Sequence, residues 1–143
     1  MTIPWCLVSA ILAMVSAQLS KVLWHALRTH TLKPQLLVAA GGMPSAHASL
    51  VTALASSIAL WDGIQSPAFA VSVVVGLIVI HDAHVVRYNA GRHASALNQI
   101  QTQLEPSPAI APHKESLGHT KKEIMVGILF GLGVSFLVSW LFH

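Results

Sequence analysis

Four stretches of this chain are nearly free of charge: Ile3 to Leu19, Ser45 to Trp61, Pro67 to Val86, where His81 and Asp82 enter only near the end, and Ile124 to Phe142. Each holds roughly 17 to 20 residues, which at 1.5 Å per residue crosses a hydrocarbon core of about 30 Å. The expected fold class is all-α, a four-helix transmembrane bundle forming one domain over residues 1–143, with helices at about 3–20, 45–61, 67–86 and 121–142. The second stretch is the least apolar. Its Ala and Ser suit a helix packed closely on its neighbours, because small residues let transmembrane backbones approach. The first has no basic lead-in and no cleavage site ahead of Lys21, so it reads as a retained helix and not a signal peptide.

The connections differ in character. Asp62 to Ser66 is a tight turn, whereas Ser20 to Pro44 and Arg87 to Lys122 are long and polar. With four crossings those two loops share one face. All eight basic residues, Lys21, Arg28, Lys33, Arg87, Arg92, Lys114, Lys121 and Lys122, fall in them or at their edges, as does every histidine but His143. The bias of Lys and Arg predicts a cytoplasmic face there, with both termini outside. Glu105 to Pro112 is proline-rich and reads as an extended linker.

Composition narrows the class further. Hydrophobic residues make up 54% of the chain and charged ones 9%, with a mean hydropathy of +0.65, against about 25% charged in soluble domains. One cysteine, Cys6, excludes an intrachain disulfide and a cysteine zinc site. A pI near 9.4 raises nucleic acid as a partner. Aromatics are sparse, however, and the cations flank apolar stretches, which fits anionic headgroups instead.

Two polar clusters could carry chemistry. In Gly41-Gly-Met-Pro-Ser-Ala-His47 the glycines free the backbone to turn, Pro44 suits the first helical position, and Ser45 and His47 fall in the first turn. Helix N-termini favour phosphate through unpaired N–H groups and the dipole; the plainer reading is a turn before a helix. In Leu117-Gly-His-Thr-Lys-Lys-Glu123, His119 and Glu123 share a helical face, where a carboxylate can hold an imidazole in one tautomer. Thr120-x-x-Glu123 is equally a capping box. Lys121 and Lys122 sit unfavourably at the positive end of a helix unless an anion is near. Lys21, Arg28 and Arg87 are individually ordinary flanking cations. Together the set is what a phosphomonoester needs: cations for its oxygens, an imidazole to attack phosphorus and another to protonate the leaving alkoxide.

The strings Gln18-Leu-Ser-Lys21, Gly41-Gly-Met-Pro-Ser-Ala-His47, Asp82-Ala with Arg87, Ala90-Gly91, Leu97-Asn-Gln-Ile100 and Lys114-Glu-x-Leu-Gly-His-Thr120, in that order over nearly the whole chain, resemble the divergent branch of the phosphatidic acid phosphatase type 2 and vanadium-dependent haloperoxidase superfamily. The resemblance implies Lys21, Arg28, Gly42, Ser45 and Arg87 as phosphate-binding, His47 as general acid, His119 as nucleophile and Glu123 as its orienting acid. Thr29 stands where a proline should follow Arg28, Glu123 where aspartate is usual, and a long insertion separates Arg87 from His119. His93 keeps the undivided spacing from Arg87, but position 97 is leucine, which leaves it no acid one turn on.

The resemblance thus implies a metal-independent phosphatase acting on a phosphorylated lipid through a phosphohistidine, with phosphatidic acid, phosphatidylglycerol phosphate or a polyprenyl pyrophosphate as substrate. The competing reading is a non-catalytic membrane protein that binds anionic lipid or serves as an assembly factor. No cofactor is expected. His81 and His84 form the best-spaced metal pair, but no H-E-x-x-H motif occurs. Four short helices leave little room to enclose a headgroup, and a homodimer would supply it.

Overall fold

The computed structural model describes residues 4–33, 35, 41–104 and 111–142. Among these the regular structure is entirely helical: α1 Trp5–Thr29, α2 Ala46–Trp61, α3 Pro67–His81, a π-helical turn Asp82–Val86, α4 Arg87–Leu104 and α5 Lys121–Phe142. Residues 105–110 of the expected linker lie outside the described residues.

Among the described residues three continuous helices are long and apolar enough to cross a membrane: Trp5–Thr29, Pro67–Leu104 and Lys121–Phe142. The expected helix at 45–61 is present as α2, an apolar helix of 16 residues, about 24 Å at 1.5 Å each against a core of about 30 Å. It packs against α1, α3 and α5.

Small residues set that packing. On α1, Ser9, Ala13 and Ala17 recur every fourth position and are buried, and Lys21 continues the same stripe. On α5 the stripe is Gly127, Gly131 and Ser135. A Cβ at Gly127 would lie 2.6 Å from the Ser45 carbonyl oxygen, and one at Gly131 would lie 2.5 Å from that of Ser49. The close approach is repaid in polar bonds that have no water to compete with them: Ser49 Oγ donates to the Gly127 carbonyl at 3.0 Å and Ser56 Oγ to Ser135 Oγ at 2.6 Å.

Two expected loops are partly helix. α1 runs on to Thr29, since Lys21 to Leu27 holds neither Gly nor Pro and several good helix formers. Residues 87–104, read as loop because they are polar, continue α3 as α4. Ala, Gln, Arg and Leu dominate there, and polarity alone does not break a helix. Pro44 does not begin α2 either. Ser45 is its N-cap, with Oγ accepting from Ala48 N–H at 3.4 Å, and Ala46 is the first helical residue.

Candidate active site

The polar groups meet where α1, α2 and the start of α5 adjoin the π turn. Lys21, at the end of the α1 stripe, is 8% exposed and its Nζ donates to the Gly41 carbonyl at 3.0 Å. Gly41 and Gly42 have φ of 92° and 79°, a left-handed region that suits glycine. The same glycine pair faces the far cluster: a Cβ on Gly41 would lie 3.3 Å from the Gly118 carbonyl oxygen.

His119 is 4% exposed. Its Nδ1 bonds Glu123 Oε2 at 3.2 Å, which leaves Nε2 as the nitrogen available for chemistry. Glu123 Oε2 also accepts from Thr120 N–H at 3.0 Å, and Thr120 Oγ1 accepts from Glu123 N–H at 3.4 Å. The capping box and the His–Glu pair are therefore one structure, and the cap fixes the carboxylate that orients the imidazole. Burial pulls the His119 imidazole below its ordinary pKa, helped by the Lys21 charge and opposed by Glu123.

His47, exposed in the first turn of α2, stands edge-on to His119 with ring centroids 6.2 Å apart. The two helix starts are tied directly, Ser45 N–H donating to the Glu123 carbonyl at 3.1 Å. Beside His47 runs a cavity of about 430 Å³ lined by Met14, Val15, Gln18, Leu19 and Ala46.

The remaining candidates fall elsewhere. Arg87 Nε donates to Asp82 Oδ2 at 2.6 Å, both side chains being about half exposed. The wider π turn brings residues five apart onto one face, a pairing that α-helical spacing hides. Arg87 and Asp82 both remain within electrostatic reach of His47. Arg28 lies two turns beyond Lys21, exposed, with its guanidinium 4.8 Å over the Trp24 ring. His93 is exposed on α4. Sequence reasoning assigned no role to Asp82 as a partner of Arg87, to Asn98, or to His84, whose Nδ1 bonds the His119 carbonyl at 3.0 Å. The first was detectable only as an acid five residues before a base. Among the described residues no three His, Cys, Asp or Glu side chains come together as a metal site.

A helical chain with three spanning-length helices among the described residues, and with buried Lys21 and His119 beside half-buried Glu123 and a second histidine, is a polytopic membrane protein with a polar site at its helix ends. It belongs to the Divergent PAP2 family, which residues 5–134 match. The uncharacterized membrane protein YuiD of Bacillus subtilis (strain 168) is 32% identical over 149 residues, covering 95% of this chain and 94% of its own. No solved structure matches the chain significantly.

Proposed function

We propose that the protein is a metal-independent phosphatase of a phosphorylated lipid. The observation that carries this reading is His119, oriented through Nδ1 by Glu123, 6.2 Å ring to ring from His47 and beside buried Lys21. His119 Nε2 attacks phosphorus while the bond from phosphorus to the lipid oxygen breaks, and protonated His47 gives its proton to the departing alkoxide. Water then attacks the phosphohistidine, neutral His47 takes its proton, and inorganic phosphate leaves with His119 restored. Glu123 stabilises the positive charge that His119 acquires in attack. Lys21 and the first-turn N–H groups of α2 offset charge on the phosphoryl oxygens. Arg87 joins them by exchanging Asp82 for substrate. The apolar cavity beside His47 suits a lipid leaving group.

In this reading the helix ends carrying the site face the cytoplasm, following the Lys and Arg distribution. A cysteine at Gln103 is then protected from an impermeant reagent outside intact cells, while one at Asp62 reacts; the reverse pattern turns the molecule over.

One feature favours the non-catalytic reading: Asp82 already neutralises Arg87. Phosphate release by purified protein from phospholipids and isoprenoid pyrophosphates in detergent with EDTA separates the two. Turnover that vanadate blocks, with a phosphoenzyme lost in His119→Ala and kept in His93→Ala, supports the phosphatase. Lipid binding without release from any substrate supports a binding protein.

A further inference from the structure

His119 is held by its backbone as well as by its ring. Its N–H donates to the Ala83 carbonyl at 2.9 Å, and its carbonyl bonds His84 Nδ1 at 3.0 Å. Both partners belong to the π turn. There the Arg87 N–H reaches back to the Asp82 carbonyl, one residue beyond its α-helical acceptor, so the Ala83 carbonyl is open to a donor from outside the helix.

Residues 113–119 approach this turn as a strap along α4. Asn98 grips the far end: its Oδ1 accepts from His113 N–H at 2.8 Å and its Nδ2 donates to the His113 carbonyl at 2.9 Å and to Glu115 Oε1 at 2.8 Å. Gly91 and Gly118 allow contact along the way, since a Cβ on either would collide with the opposing backbone of Glu115 or Tyr88. Anchored at Asn98 and bent at Glu115 to Leu117, where the Leu117 N–H donates to the Glu115 carbonyl at 2.8 Å, the strap brings the peptide of His119 against the π turn.

His84 is half-buried and helps line a groove of about 760 Å³ that is apolar along Leu77, Ile78, Ile124 and Met125 and polar at His81 and Lys121. A carbonyl only accepts, so Nδ1 carries the proton.

We propose that His84 is a positioning residue, whose Nδ1–H on the His119 carbonyl fixes the peptide from which the His119 imidazole projects between Glu123 and His47. The proposal rests on His119 as the nucleophile, and its test includes a measurement that needs no turnover. The full chain in detergent is treated with diethyl pyrocarbonate, and each histidine is followed by mass spectrometry. In the wild type His119 reacts far more slowly than exposed His93. His84→Phe keeps the wall and deletes the donor; it should raise His119 labelling and lower kcat, each roughly two- to tenfold as for one lost hydrogen bond, at unchanged KM. His84→Asn, whose amide nitrogen reaches near the Nδ1 position, should restore both. The clasp is overturned if His84→Phe leaves His119 labelling at the wild-type rate, or raises it equally at every histidine with no rescue by asparagine. If the wild type releases no phosphate while His84→Phe still unmasks His119 alone, the clasp stands and the phosphatase reading falls.

Discussion

The two histidines begin their helices in similar local sequence and end in different surroundings. His47 follows a Ser N-cap by two residues; His119 precedes a Thr–Glu capping box by one. His47 is exposed beside a cavity, whereas His119 is 4% exposed and bonded through its ring and its backbone. A nucleophile gains from being fixed at one distance from phosphorus. An acid that must meet leaving groups and later water gains from access. The difference between the helix starts therefore matches the two roles assigned to them.

The sharpest way to break this contrast is to remove each imidazole. His119→Ala should abolish release from every substrate and the trapped phosphoenzyme. His47→Ala should cost about 10²–10⁴ in kcat on a lipid phosphate, the usual range for a general acid, and far less on p-nitrophenyl phosphate, whose leaving group departs unprotonated. Equal losses on both substrates would remove His47 from the acid role.

Next in size is the packing that joins the two helix starts. Gly127→Ala puts a methyl 2.6 Å from the Ser45 carbonyl oxygen, while Gly133 has no atom within 4 Å of such a methyl. Gly127→Ala should lose about 1–3 kcal/mol, as overpacked sites do, and disturb the spacing of the histidines; Gly133→Ala should be close to neutral. Unfolding in mixed micelles measures the first effect and kcat the second. Equal stability of the two variants would mean that α2 and α5 are not in contact as described.

Glu123→Gln comes third. The amide still caps Thr120 N–H but lacks the charge that steadies an imidazolium, so kcat should fall roughly tenfold or more while the fold persists. Wild-type kcat in this variant would reduce Glu123 to a cap.

The smallest effect is in the pH profile. Attack needs neutral His119, and burial with the Lys21 charge lowers its pKa, so the acid limb of kcat/KM should fall below about 6.5, the unperturbed histidine value. Lys21→Met removes a charge that disfavours the imidazolium and should move the limb to higher pH. Glu123→Gln removes one that favours it and should move the limb lower. Shifts of the same sign in both variants would mean that another group sets the limb.

Much of this organisation is local and could be read from the chain. The apolar stretches and the Thr120–Glu123 box with its His–Glu face follow from spacings within one or two helical turns, whereas the start of α2 fell one residue later than expected, with Ser45 as the cap. The family strings brought His47, His119 and Lys21 onto one list, and the structure places those three together. It does not place Arg28 with them, and it gives Arg87 to Asp82.

Tertiary structure alone decided the rest. Whether Arg87 to Leu104 was loop or helix turned on its continuity with α3, because a polar run of good helix formers gives no apolar signal. The exit of α3 through a π turn decided that Arg87 pairs with a residue five back and that the Ala83 carbonyl accepts from His119. The His84, Ala83 and Asn98 bonds to residues 113–119 largely end on backbone groups. Every residue type carries the same N–H and C=O, so a contact made through them leaves little mark on the sequence at its far end. Chain spacing named the histidines, but only the packing of a 38-residue helix against a six-residue reach of strap determined which one is buried and held.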